Sequence, residues 1–386
     1  MGSRTNQNGV SGIYFHIPFC KQACHYCNFH FSTSLKHKDA VLKAMGDELS
    51  LFAKKDWQGP VDTVYFGGGT PSLLSVTEIE RFIEQVASQY GLVEGVEITL
   101  EANPDDLDLQ KLKALRDSSV NRLSVGIQSF HAGELRWMNR AHTPQQALKS
   151  LEGVSRYFDN FSLDLIYGVP GSNMDRWQSN LSKALDFSPP HVSAYALTVE
   201  PKTALDSFVK KGLSPDVDDD AAQQQFLFMV KALEEKGYDH YEISNFALPG
   251  FYSRNNSAYW QGKAYLGIGP GAHSFDGARR WWNPSHNLRY LRALEKGEFP
   301  GEIEVLTPRD RYNETVMTGL RTRWGVSLKK VREEFGADYE EYLRTQAAPY
   351  LRDHLLFLDK DVLYTARNAK FLADGIASDL FMINLK

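Results

Sequence analysis

Cysteine is nearly absent from this 386-residue chain: it has three, and none lies outside the stretch Cys20 to Cys27. An odd number in one short stretch excludes a disulfide framework, because one thiol always stays unpaired. Long apolar runs are missing too, and none approaches the roughly 18–20 residues of a membrane-spanning helix. Met1 to Gly12 are polar and lack the apolar core of a secretory signal peptide. These absences make the cytoplasm, where thiols stay reduced, the expected compartment. Excess positive charge is also lacking: 43 basic residues against 48 acidic ones leave a net charge of −5. That balance argues against nucleic acid as a partner, since affinity for it rests on clustered Lys and Arg neutralising phosphates. There is no internal repeat and no low-complexity tract. The length suits one large domain and a smaller one.

What is there is concentrated around the cysteines. Ile13–Ile17 reads as a short strand, and Cys20, Cys24 and Cys27 follow it as C-x3-C-x2-C. Thiolates this close in a reduced protein point to soft-metal ligation. Structural zinc usually recruits four side chains in two separated pairs, and no second Cys or Cys/His pair follows at suitable spacing. An iron–sulfur cluster held by three thiolates instead leaves one iron with an open position for a ligand that is not protein.

Along the first two-thirds, short β-rich runs alternate with helical patterns. The strands are read at Ile13–Ile17, Val61–Phe66, Val96–Leu100, Arg122–Ile127, Phe161–Ile166 and His191–Ala196. Between them lie helical segments, such as the one carrying Val41, Leu42, Met45, Leu49 and Phe52 on one face. Successive βα units define an α/β protein with a parallel sheet and right-handed crossovers. Both a doubly wound sheet and an open barrel fit that count. Gly67–Thr70, Glu101, Gln128 and the Tyr195-Ala196 pair each stand at the C-terminal end of a strand, where a βα barrel gathers its site. The expected architecture is therefore a partial (β/α)6, TIM-like barrel over residues 1–237. Residues 238–304, rich in aromatics and glycine, are expected to cover the open barrel edge. Residues 305–386 predict helices, a hairpin pairing Leu355–Leu358 with Val362–Thr365, and a last helix at Ile376–Phe381: a small helical, winged-helix-like domain. A winged helix raises a DNA-binding reading, which the acidic balance opposes.

The cysteine loop resembles that of the radical S-adenosylmethionine (SAM) superfamily, in which the open iron of a [4Fe–4S] cluster chelates the amino and carboxylate groups of SAM. His16-Ile-Pro-Phe-Cys20, with Tyr26 before the last cysteine, narrows the likeness. It is similar to the group of oxygen-independent coproporphyrinogen III oxidases and HemW-type heme chaperones, as is the Ser378-Asp379-Leu380-Phe381 ending. The fold this resemblance implies is the radical SAM barrel. It implies that Cys20, Cys24 and Cys27 hold the cluster and that Gly67-Gly68-Gly69-Thr70 is the glycine-rich SAM motif. Glu101 and Asp164 would then meet the amine or the ribose hydroxyls, and Arg140 the carboxylate. Gln128, Tyr14, Tyr26 and Ala196 match further cofactor-lining positions, Tyr26 against the adenine. Read without the resemblance, the glycines also make a tight turn, the two acids a salt bridge inside the barrel, and Tyr14 a core residue.

In this superfamily the cluster passes one electron, from a donor such as flavodoxin or ferredoxin, to SAM, giving methionine and a 5′-deoxyadenosyl radical. In the oxidases that radical attacks porphyrinogen propionates, which lose CO2 to become vinyl groups. The oxidase motif continues to a fourth cysteine two residues past the third, where this chain has Phe29, and its N-terminal extension is longer. Cys27-Asn-Phe-His30 is instead similar to the HemW type, which binds heme as cargo and passes it to a respiratory protein. Heme transfer is thus the expected function and porphyrinogen oxidation the alternative. One departure cuts the other way. The chaperones' His-Asn-x-x-Tyr-Trp motif reads Asn255-Asn256-Ser-Ala-Tyr259-Trp260 here, and an amide is a poor iron ligand beside imidazole. His273 or His142 would substitute, or serve as hydrogen-bonded structural histidines. Tyr259 and Trp260 would stack on a porphyrin or line the core.

Overall fold

The computed structural model describes residues 11–53 and 59–383; of the polar N-terminal stretch, all before Ser11 lies outside them. Six strands, β1 (Gly12–Ile17), β2 (Val61–Gly68), β3 (Leu92–Ala102), β4 (Arg122–Gln128), β5 (Phe161–Tyr167) and β6 (His191–Ala196), pair in chain order, all parallel. Helices make the crossovers, and their starts are fixed by local chemistry. Ser75 and Glu78 form a reciprocal capping box before Val76–Tyr90, and Thr143 with Gln146 does so before Pro144–Tyr157. Asn173 accepts from the Arg176 N–H at the head of Met174–Leu185.

The strands alternate with period two. Ile13, Phe15, Val64, Phe66, Ile98, Leu100, Leu123, Val125, Leu163, Leu165, Val192 and Ala194 all join one buried core. Each such side chain, fully buried, contributes roughly 1.5–3 kcal/mol. The residues between them, Tyr14, Tyr65, Thr99, Glu101, Ser124, Asp164 and Ser193, face the barrel interior and are polar. Parallel strands covered on both faces are normally near-continuous apolar runs, so this alternation marks an interior that is not a packed core.

Residues 238–304 flank the barrel by adding strands at both of its open edges, beside β1 and beside β6. They are built into the sheet on both flanks. β7 (Asp239–Glu242) and β8 (Asn245–Ala247) extend it antiparallel beyond β6. On the other side β9 (Tyr265–Ile268) pairs parallel with β1, followed by β10 (His273–Phe275), β11 (Arg279–Trp282) and β12 (Glu302–Val305). Pairing satisfies the open N–H and C=O groups of an edge, which a lid would leave exposed.

The C-terminal segment has its own hydrophobic cluster, with Tyr312, Val316, Leu343, Leu363 and Ile376 at its centre. Helices Pro308–Leu320, Leu328–Phe335 and Ala337–Arg352 surround a small sheet of β13 (Val326–Ser327), β14 (Leu356–Asp359) and β15 (Val362–Thr365), and helix Ala373–Asp379 closes it. Arg321 ties this segment to the barrel by an ion pair with Glu242 at 2.9 Å and by lying 5.1 Å over the Trp260 ring. Among the described residues no helix is long and apolar enough to cross a membrane.

Candidate functional site

The cysteine loop leaves β1 and is laced down on both sides. Cys20 N–H donates to the Ser32 carbonyl at 3.0 Å, and His25 N–H to the Met138 carbonyl at 3.1 Å. Gln22 Nε2 donates to Asn139 Oδ1 at 2.7 Å across the same gap, and Asn139 Nδ2 donates to the Ala23 carbonyl at 2.7 Å. Lys21 pairs with Asp105 at 2.8 Å and also with Asp106. The three thiols are free and partly exposed. Among the described residues no group of three or more His, Cys, Asp or Glu side chains is placed to hold a single metal ion. Burial pushes the Cys20 thiol up and the Cys27 thiol up to about 11. Thiols with raised pKa values lose their protons to solvent when a bound metal cation stabilises the thiolate.

Arg140 braces this loop. Its guanidinium donates to Cys24 Sγ at 3.5 Å, to Asn103 Oδ1 at 2.7 Å and to the Gly126 carbonyl at 2.9 Å, leaving Nε–H buried without a partner among the described residues. It also meets the Tyr26 hydroxyl, while Tyr26 packs on a small cluster with Leu135, Met138 and Ile166. Asn103 in turn donates to Thr70 Oγ1 at 3.2 Å. It directly follows β3 in the run Glu101-Ala-Asn-Pro104, and nothing in the sequence pattern singles it out.

The glycine triplet answers first to the cysteine loop. A Cβ at Gly69 would come within 2.6 Å of the Ile17 carbonyl and 2.7 Å of the Phe19 carbonyl, and one at Gly68, at φ +101°, would meet the His16 ring at 2.5 Å. Gly69 N–H donates to Ile17 at 2.9 Å and Thr70 N–H to Phe19 at 2.7 Å. Loop 67–70 is thus sealed against the base of the thiol loop, and the Thr70 side chain reaches Cys20.

Glu101 and Asp164 do not form a salt bridge. Glu101 accepts from the Tyr65 hydroxyl at 2.8 Å and from Gly68 N–H at 3.2 Å. Asp164 accepts from Ser124 at 3.3 Å and from Ser193. Burial, helped by their mutual repulsion in the case of Glu101, raises Glu101 to about 7; burial raises Asp164 to about 6. Deeper in the barrel Thr99 Oγ1, Arg122 Nε and His191 Nδ1 are buried with no hydrogen-bond partner among the described residues, so the interior is under-satisfied. Gln128, at a bulge with φ +62°, folds its amide back over Gly126. Ala196 ends β6 opposite Tyr167. Tyr14 donates to or accepts from His16 Nδ1 at 3.2 Å and stacks on Tyr65 with centroids 5.9 Å apart.

Beside this site a cleft of about 970 Å³ runs from Tyr14 and Glu101 past Phe29 and His30 to helix Arg254–Trp260 and β10. Asn255, Asn256, Tyr259, Trp260 and His273 all line it. Tyr259 stands 49% exposed, so the stacking role stays open to it and core lining does not. His142 is removed from consideration as a ligand: it is buried, bonded through Nε2 to the Ile127 carbonyl at 3.0 Å, and away from the cleft. Sequence reasoning missed Tyr265, Arg280 and Trp282, which share the cleft with His273; their four-residue strands carry too little periodicity to be placed.

Barrel and thiol loop define the class. Residues 14–183 match the radical SAM superfamily and residues 306–372 the HemN C-terminal domain. Coproporphyrinogen III oxidase (HemN) of Escherichia coli superposes with a TM-score of 0.84 at 21% identity, covering 99% of this chain and 94% of its own; that is a likeness of fold. Heme chaperone HemW of Lactococcus lactis is 35% identical over 377 residues, covering 95% of this chain and 98% of its own. HemW of Bacillus subtilis is 31% identical over 371 residues with the same coverage. The chain belongs to the HemW family of radical SAM proteins. Membership implies a [4Fe–4S] cluster and SAM, and the donor set fits both: three free thiols on one loop, with an unpartnered arginine N–H and two carboxylates beside it.

Proposed function

We propose that this protein binds heme in the cleft and hands it to an acceptor protein such as a respiratory hemoprotein, as a heme chaperone of the reducing cytoplasm. Cys20, Cys24 and Cys27 hold the cluster. Gly68, Gly69, Thr70, Glu101, Gln128, Arg140, Asp164, Tyr14, Tyr26 and Ala196 surround SAM. Bound together, cluster and SAM supply one-electron chemistry at the sulfonium, with flavodoxin or ferredoxin as donor. The chain's own part is to brace the thiol loop through Arg140 and to offer carboxylate acceptors.

The observation that carries the reading is the cleft itself. It adjoins the thiol loop, and Phe29, Tyr259, Trp260, Tyr265 and Trp282 give it broad aromatic walls for a flat macrocycle. Phe29, 64% exposed, stands where the oxidase resemblance asks for a fourth cysteine. The relatives named heme chaperones match the chain end to end, whereas the oxidase resembles it in fold alone. Anaerobically reconstituted protein is expected to give a saturable Soret change on heme titration. With SAM and coproporphyrinogen III it is expected to form no protoporphyrinogen; turnover to that product would replace this reading with the oxidase.

A pH dependence follows from the carboxyls. Glu101 faces Tyr14, Tyr65, Tyr195 and Asp164; Asp164 also faces Arg122 and Arg140, which pull it down. Both must be ionised to accept from the SAM ammonium and hydroxyls. Their raised values, about 7 and about 6, place protonation near neutrality. Lowering pH from 8 to 5.5 is expected to weaken SAM binding by about tenfold or more, measured by equilibrium dialysis with iron content as the control. A flat profile would remove these carboxyls from the SAM site.

A further inference from the structure

Three histidines line the cleft, and they are not equivalent. His16 is buried, with Nε2 against the His30 carbonyl at 2.8 Å and Nδ1 against the Tyr14 hydroxyl at 3.2 Å. His30 uses Nε2 on Asn287 Oδ1 at 2.7 Å. His273 is exposed into the cleft, and neither ring nitrogen has a hydrogen-bond partner among the described residues. Its ring rests against Trp282, centroids 5.9 Å apart and planes 26° from parallel. Partial burial, and then the Arg280 charge, lower its pKa, so the imidazole is neutral with a lone pair to offer. The lining contains no cysteine or methionine. Asn255 is already bonded into the wall: its Oδ1 accepts from Thr63 Oγ1 at 3.2 Å and its N–H donates to Glu97 at 3.2 Å.

We propose that His273 is the axial ligand to the iron of a bound heme, taking the place of the imidazole that position 255 lacks. This rests on the heme reading above and goes beyond it by naming the ligating atom's residue. Neutral imidazole is the strongest iron donor the cleft offers, and an amide oxygen does not compete with it.

The position of His273 is also fixed in advance, as a metal ligand's must be. A Cβ at Gly267 would come within 2.0 Å of the His273 carbonyl oxygen, so only glycine lets β9 pass there. Gly267 N–H donates to Ser274 Oγ at 2.8 Å. Just past the end of β9, Gly269 N–H donates to buried Glu48 at 2.9 Å. The strand that presents His273, β10, is held on both sides by antiparallel pairing with β9 and β11, while its ring makes no hydrogen bond among the described residues.

The test is spectroscopic. Cluster-loaded wild type and His273→Ala are titrated with ferric heme and, separately, with metal-free protoporphyrin IX. The expected result is a loss of heme affinity of about tenfold or more and a changed Soret position and EPR signal in His273→Ala. Iron-free porphyrin should bind the two proteins alike, because it has no iron to ligate. His273→Gly with added free imidazole should recover the wild-type spectrum, whereas a merely structural role would not be rescued. Equal weakening toward both porphyrins, or an unchanged heme spectrum in His273→Ala, would overturn the ligand assignment and leave the cargo reading standing. No heme binding by the wild type would overturn both.

Discussion

Gly69→Ala is expected to leave anaerobic reconstitution with most of its iron missing, although Gly69 ligates nothing. The new Cβ would lie 2.6 and 2.7 Å from the Ile17 and Phe19 carbonyl oxygens and 2.9 Å from the Phe19 nitrogen. All three are backbone atoms, so no side chain can swing aside. Either loop 67–70 lifts off or the segment entering Cys20 moves, and each breaks the bonds from Gly69 and Thr70 that hold the thiol loop. Overpacking of this kind costs about 3 kcal/mol at the upper end of its usual range. The larger effect is geometric, because three thiolates must be presented together for a cluster to form. Gly375→Ala, in helix Ala373–Asp379 with nothing near the added methyl, serves as the control. It is expected to keep full iron content and to gain up to about 1 kcal/mol. Iron per chain and urea midpoints decide the matter, and wild-type iron in Gly69→Ala would show that the loop tolerates displacement.

How much of this was legible beforehand depended on whether the signal was local. Cysteine spacing is local, and so are the capping residues. Ser75, Thr143 and Asn173 each cap a helix in the structure through the residue three positions on, an interaction of the same short range. Strand alternation marked Glu101 and Gln128 as strand-end residues, and both stand there. What was not legible depends on distant partners. The glycine triplet reads as a ligand cradle, but only the fold reveals that Gly68 and Gly69 yield their Cβ space to His16 and to two carbonyls of β1 and its loop. His142 and His273 look alike in the sequence; one turns inward to a carbonyl and the other into the cleft. Strands β10 and β11, of three and four residues, are too short to show a period of two. Their pairing is decided by the open edge beside β1.

Glu48→Leu is expected to lose most of the folded protein. Glu48 looks like one more acid on helix Lys38–Ala53, yet it is fully buried. Its carboxyl accepts from Gly269 N–H at 2.9 Å, Asn283 Nδ2 at 2.7 Å and the Tyr290 hydroxyl at 2.6 Å. Leucine would fill the space but strand those donors, at about 1–3 kcal/mol each. A loss on the order of 5 kcal/mol is comparable to the whole stability of many domains. Glu48→Gln keeps an oxygen for Gly269 and Tyr290 but turns an N–H toward Asn283, so its cost is smaller, about 1–2 kcal/mol. The two variants also separate by pH. Burial raises the Glu48 carboxyl from its ordinary value of 4.5 to about 7. Within that window the unfolded chain has released its proton while the folded one retains it. Wild-type stability is therefore lost as pH rises from about 4.5 to about 7, and glutamine, which does not titrate there, escapes that loss. The stability gap between wild type and Glu48→Gln is expected to narrow across this window in urea denaturation. Parallel curves would mean that Glu48 stays charged in the fold, and that its three donors outweigh its burial.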